Sequence, residues 1–185
     1  LICEQEGKYD LAETAWNKAS ELLPDSNIIR RSAQLSFERK KYKNVVRRLK
    51  SLIEIEPESI NDLEMLVDAL IHIGDIQQAI IHLRQLRSLN PNNHKYAISY
   101  AQCLGRTAQL NEAIEVLQPL CDEESSSLNV LLLQGKLLVA NDRALDALNL
   151  LETVASDYWD NAQFLLAHMN YAHAAGKDSL AYDSF

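Results

Sequence analysis

The chain has 185 residues, of which 47% are apolar and 24% charged, with a formal net charge of −8; that is the composition of a soluble packed protein, not of a disordered chain. No apolar run approaches the ~20 residues that a membrane-spanning helix needs, and the acid excess argues against general binding to phosphate backbones, whose affinity comes mostly from cation contacts. Cys3, Cys103 and Cys121 form no CxxC pair, a sparse and odd set that suits a reducing compartment, the cytoplasm, with the periplasm as the alternative.

Taken from the N-terminus, residues 1–25 read as the end of one helical hairpin, closed by Pro24. From there the chain repeats, with units at 26–59, 60–93, 94–127 and 128–161 and an incomplete one at 162–185. Four ladders carry the register. Ala33, Val67, Ala101, Gly135 and Met169 stand 34 residues apart, as do Val45, Ala79, Ala113, Ala147 and Ala181, with Ala12 one residue short at 33. Trp16, Leu49, Leu83, Leu117, Leu151 and Phe185 form a large apolar ladder, and Pro24, Pro57 and Pro91 are followed by Ser125 and Trp159 where proline is lost.

Each period holds two segments with helical spacing. In residues 60–93, Leu63, Leu66, Val67 and Leu70 share one face, and after Gly74-Asp75 so do Ile76, Ala79, Ile80, Leu83 and Leu86. Gly74 suits a helix C-terminus, where a positive φ costs glycine little. Pro91 ends the second segment, and Asn92 or Asn93 caps the next. The small ladders belong where two helices approach to ~8–10 Å. The reading is all-α, with one helix–turn–helix hairpin per period and no competing strand pattern.

The fourth unit departs from this pattern. Gly105 falls inside its first helix, Ala108 takes the turn position of Gly74, and Pro119 falls inside its second helix, where proline bends or breaks the structure. The expected outcome is a tolerated kink with Ser126 or Ser127 capping the next helix, the alternative a hinge between two half-arrays.

A helical hairpin of 34 residues with small residues at two fixed places and a closing proline resembles the tetratricopeptide repeat (TPR) family. The best match is GKYDLAETAWNKASELLPDS, with Gly7, Tyr9, Ala12, Trp16, Ala19 and Pro24 at the family's offsets. Val45 in place of alanine, Leu52, Leu86 and Leu120 in place of the small residue seen at Ala19, and the last two linkers depart from the pattern. The resemblance implies an α-α superhelix, a right-handed solenoid of antiparallel hairpins, here one array over 1–185. Leu1, Ile2 and Phe185 are not the polar caps that close such arrays, so a cut from a longer array is expected.

The resemblance further implies a scaffold that binds another protein, with no catalytic, metal or cofactor role and no nucleic-acid partner. First helices of successive hairpins would line a concave groove for an extended or helical peptide. In the second unit this places Asn27, Arg30, Gln34, Phe37 and Glu38 there, and in the third Asn61, Glu64, Asp68, Ile71 and His72. The fourth supplies Lys95, Ile98, Gln102 and Arg106, the fifth Asn129, Leu132, Lys136 and Val139, and the sixth Gln163, Leu166, Asn170 and His173. Phe37, Ile71 and Leu132 are the expected apolar anchors. Glu64 and Asp68 would repel a C-terminal carboxylate, against the chaperone-tail-binding subclass. The alternatives are a regulatory or substrate-presenting arm of a larger enzyme, such as a glycosyl- or sulfotransferase, or part of a periplasmic machine for pili or exopolysaccharide.

Catalysis has little footing. His168 and His173 are five apart and miss a shared helical face, and His72, His82 and His94 are scattered. The cysteines sit at helix-interior positions as small core residues. The remaining feature is charge: residues 30–50 hold nine basic side chains and one acidic, Glu38. In the repeat register Arg39–Lys41 form a turn, Tyr42 and Val45 point inward, and Lys43, Arg47 and Lys50 share the outer face of a second helix. That row reads as a solvated face, or as a docking surface for an acidic partner or for another copy's acidic repeats.

Overall fold

A computed structural model of the chain describes residues 9–22, 25–123 and 126–177. The expectations that rest on Leu1, Ile2, Cys3, Gly7, Pro24, Ser125, Ala181 and Phe185 fall outside these residues. The described residues are helices joined by short turns, with no strand among them. They form two compact units, residues 1–92 and 93–185, where the sequence suggested one continuous array.

The first unit holds α1 (Tyr9–Leu22), α2 (Ser26–Glu38), α3 (Tyr42–Ile55), α4 (Ile60–Ile73) and α5 (Ile76–Leu89), each packed on the next. Asp25 starts α2 by accepting hydrogen bonds from the amides of Asn27 (2.9 Å) and Ile28 (3.3 Å), which satisfies donors that a helix start leaves unpaired. Gly74 ends α4 at φ 84°, as expected of a left-handed helix stop. The second unit holds α6 (His94–Arg106), α7 (Leu110–Cys121), α8 (Leu128–Ala140), α9 (Ala144–Glu152), the single turn α10 (Ala155–Tyr158) and α11 (Ala162–Ala174). Asn93 caps α6 through Lys95 (3.1 Å), and Asn161 caps α11 through Gln163 (2.9 Å) and Phe164 (3.1 Å).

The ladders are the cores of the units. Ala33, Val45, Leu49 and Ala79 are fully buried in the first, and Ala101, Ala113, Leu117, Ala147 and Leu151 in the second. The turn between paired helices is equally periodic. Lys40 (φ 57°), Gly74 (84°), Ala108 (58°), Asp142 (59°) and Gly176 (70°) all adopt the left-handed conformation. Three of these five carry a Cβ, which costs about 1–2 kcal/mol relative to an unstrained residue.

Three expectations for the second unit are corrected. Pro119 neither breaks nor ends α7 at its own position; it lies in the last turn, and the helix runs on to Cys121. Its missing amide would have served the carbonyl of exposed Glu115, which water reaches. Ser127 occupies the N-cap of α8 but makes no side-chain cap bond, and Ser126 Oγ is buried without a partner. The second helix of the fifth repeat is not continuous: it stops at Glu152, Thr153 Oγ1 donates back to the Leu150 carbonyl (2.7 Å), and α10 follows. A hydroxyl that engages its own helix's carbonyls competes with the ladder.

Candidate functional site

In the first unit, the residues expected to face a ligand are largely taken up by the fold. Arg30 is the clearest correction. Its Nε donates to both oxygens of Asp62 (2.9 and 3.1 Å), and its Nη2 to Asp62 (2.7 Å) and Glu56 (2.8 Å). Ser59 Oγ donates to Asp62 as well (2.6 Å). The Asp62 side chain is only 1% exposed, so this guanidinium neutralises a buried carboxylate from the next repeat. The arrangement raises the Arg30 pKa, chiefly through Asp62, and hydrogen bonds from Ser26 and then Arg30 lower that of Glu56.

Phe37, an expected anchor, packs its ring edge-on to Tyr42 at 5.5 Å, and His72 stacks on the other side of Tyr42 at 4.2 Å. His72 Nδ1 lies 2.7 Å from the Asp68 carbonyl oxygen. Phe37 and His72 thus buttress a turn. Gln34, Glu64 and Ile71 are half-buried and Asp68 exposed.

The second unit is different. Between α6, α8 and α11 lies a groove of about 840 Å³. Eight of the expected groove residues line it: Ile98 and Gln102 from α6, Asn129, Leu132 and Lys136 from α8, and Gln163, Leu166 and Asn170 from α11. Lys95, Arg106, Val139 and His173 do not. The lining also includes Ser127, Val130, Leu133, Ala167 and Tyr171, which the sequence reading missed. Leu132 is nearly buried in the floor, whereas Leu166 is 61% exposed at the rim. Lys136 is the one charged side chain among the described residues of this lining. Amides and a hydroxyl surround it, so the groove offers apolar contact, neutral hydrogen bonding and a single positive charge.

Tyr171 and Gly135 explain the floor. Tyr171 Oη donates to the Leu132 carbonyl (3.0 Å) from a buried position, and burial pushes its pKa up to about 12, so the hydroxyl stays protonated. Its ring lies against Gly135, where a Cβ would come within 2.4 Å of Cε2. Glycine therefore stands on the small ladder here because an aromatic ring from the next repeat fills the Cβ site.

The basic row on α3 stands as its spacing predicts. Lys43, Arg47 and Lys50 are exposed, while Val45, Val46 and Leu49 are buried. Arg48 is buried too, with Nη1 donating to Ser36 Oγ at 3.2 Å, a role the charge pattern concealed. Among the described residues no group of three or more His, Cys, Asp or Glu is placed to hold a metal, and no helix is long and apolar enough to cross a membrane. His168 is buried against Trp159 (5.3 Å) and Phe164 (6.0 Å). Burial raises the pKa of Cys103, and that of Cys121 to about 11, which keeps both as thiols.

A family model for subunit 3 of the anaphase-promoting complex, or cyclosome, matches residues 81–154. No curated protein matches the chain. Among solved structures, a tetratricopeptide repeat protein from Parabacteroides merdae ATCC 43184 is similar with a TM-score of 0.73 at 12% identity, over 99% of this chain and 73% of that one. YrrB, a TPR protein with an unusual peptide-binding site, gives 0.72 at 17% identity, over 90% of this chain and 86% of YrrB. The chain has the tetratricopeptide-repeat fold. The 41-end portion of MamA from Desulfovibrio magneticus RS-1 is also similar, with a TM-score of 0.73 at 16% identity over 86% of this chain and 90% of that one. At these identities the likeness is one of architecture: the TPR hairpins form an all-α, α-α superhelical fold.

Within the TPR fold, the groove residues come from first helices, and this is why eight could be placed from register alone. Tyr171 and Ala167 escaped because they sit beside the groove-facing positions and reach it only where a small neighbour opens the floor. Gly135, a glycine in mid-helix, was the signal that could have exposed Tyr171.

Proposed function

We propose that the chain is a non-enzymatic interaction module that binds a peptide segment of another protein in the groove of its second unit. The observation that carries this reading is the composition of the groove lining. Leu132, Ile98 and Ala167 give apolar floor and wall; Gln102, Asn129, Gln163 and Asn170 give amides that can both donate to and accept from a peptide main chain; Lys136 gives one cation. Apolar contact plus a few convergent polar groups is the composition of a recognition site. Amides suit an extended backbone whose alternate side chains enter pockets. The lone lysine selects a peptide with apolar residues and one carboxylate. A groove without a paired acid, base or nucleophile supports binding without chemistry. Two thiols held protonated by burial suit a reducing compartment, and we place the protein in the cytoplasm.

The test is direct. Peptides selected from a random library on the wild-type chain are measured by fluorescence anisotropy against Leu166→Ala/Asn170→Ala and Lys136→Glu. All three side chains are exposed, so the fold is retained. The double variant should weaken binding at least about tenfold, the loss of roughly 1.4 kcal/mol. Lys136→Glu should invert the preference for acidic peptides. Equal affinity across wild type and variants would place binding elsewhere.

A further inference from the structure

The outer faces of the second helices change sign along the chain. On α3 the outward row is Lys43, Arg47 and Lys50, all exposed. The repeat carries the position of Arg47 to Glu115 on α7, 68 residues on, and that of Lys50 to Glu152 at the end of α9, 102 residues on. Both acids are exposed, as is Asp122, one further turn along the α7 row. No lysine or arginine occurs anywhere from residue 107 to residue 135. The basic face extends beyond α3, since Lys50 lies near enough to His82 on α5 to oppose its protonation. No acidic residue occurs in α5.

Each face also exposes an apolar side chain in the same outward rows. Ile81 is 53% exposed on α5, and Leu145 is 47% exposed on α9. A charged rim around an apolar centre is how protein interfaces are built. A solvated surface has no need of a large apolar residue at its middle, and like charges placed face to face would repel.

We infer that the outer face of α3 and α5 in one copy docks on the outer face of α7 and α9 in a second copy of this chain. The second copy is the occupant because the complementary surface is present on the same polypeptide, in the same repeat positions, with the sign reversed. Each contact joins unlike faces, so it is governed by charge and weakened by salt. It leaves the groove between α6, α8 and α11 open, and it is independent of what that groove binds.

Sedimentation velocity of the 185-residue chain tests this at about 0.01 M and about 1 M salt, where the Debye length is about 30 Å and about 3 Å. At low salt the weight-average mass should rise with concentration to at least about double the monomer, by mass action. At high salt it should return to the 20.9 kDa of one chain. Lys43→Glu/Arg47→Glu/Lys50→Glu and Glu115→Lys/Asp122→Lys/Glu152→Lys should each be monomeric alone at low salt, with unchanged circular dichroism. Mixed in equal amounts, the two variants should associate again, because each supplies the sign the other lacks. Wild type that stays monomeric at low salt overturns the inference. So does a mixture that fails to associate, or a basic face that binds polyglutamate while the chain does not self-associate; the last outcome assigns the face to a foreign acidic partner.

Discussion

Arg30 and Asp62 lie 32 residues apart in sequence and join two successive hairpins of the first unit through paired hydrogen bonds. The carboxylate is buried, while the guanidinium is partly solvated and keeps Glu56 as a second partner. Breaking a fully buried pair costs 3–5 kcal/mol, and residual solvation lowers that figure here. Asp62→Ala should therefore destabilise the first unit by about 2 kcal/mol, seen as a lower urea midpoint, while leaving peptide affinity in the second unit unchanged. An unchanged midpoint would show that the cluster is decoration. The register placed Arg30 on a first helix and on its inner side. It could not show that this side chain turns to the next repeat, because that depends on an aspartate at a position with no repeat signature. The left-handed turns were legible from the same register: Lys40 and Ala108 stand where Gly74 stands, and the backbone there is alike in all three.

At the scale of the helix, two glycines separate packing from propensity. Alanine is favoured over glycine in a helix interior by roughly 0.5–1 kcal/mol. At position 105 a Cβ would meet only Leu137 Cδ2, at 2.7 Å, the movable tip of a side chain. At position 135 it would meet the Tyr171 ring at 2.4 Å, and that ring is held by its hydrogen bond to Leu132. Gly105→Ala should thus be neutral or stabilising by up to about 1 kcal/mol. Gly135→Ala should cost about 1–3 kcal/mol through overpacking and loosen the groove floor. Thermal melts of the two variants decide this, and equal shifts would contradict the packing account. Element boundaries were less legible than element types. The stop at Glu152 and the extra turn at Ala155–Tyr158 follow from how Thr153 engages the carbonyl before it, which apolar spacing does not encode. Pro119 misled in the opposite sense, because its cost depends on distance from the helix end and on exposure of the carbonyl it strands.

For the whole chain, the repeat period carried the fold. A hydrophobic period of 34 residues has few solutions, and four ladders in one register leave the paired-helix array. The binding face was legible as a set of positions but not as a site. The same positions give a ligand-sized groove in the second unit, whereas in the first Arg30, Phe37 and His72 are occupied by neighbours. That difference lies in tertiary contacts: a buried aspartate and a tyrosine between two rings close one face, and a glycine that admits Tyr171 shapes the other. The central claim is that peptide recognition belongs to the groove between α6, α8 and α11. Amide and methyl chemical-shift mapping on addition of a library-selected peptide tests it most directly. The account predicts that the largest saturable shifts cluster at Ile98, Gln102, Leu132, Lys136, Leu166 and Asn170. Shifts centred on Lys43, Arg47 and Lys50, or on Glu115 and Glu152, with the groove residues silent, would contradict it.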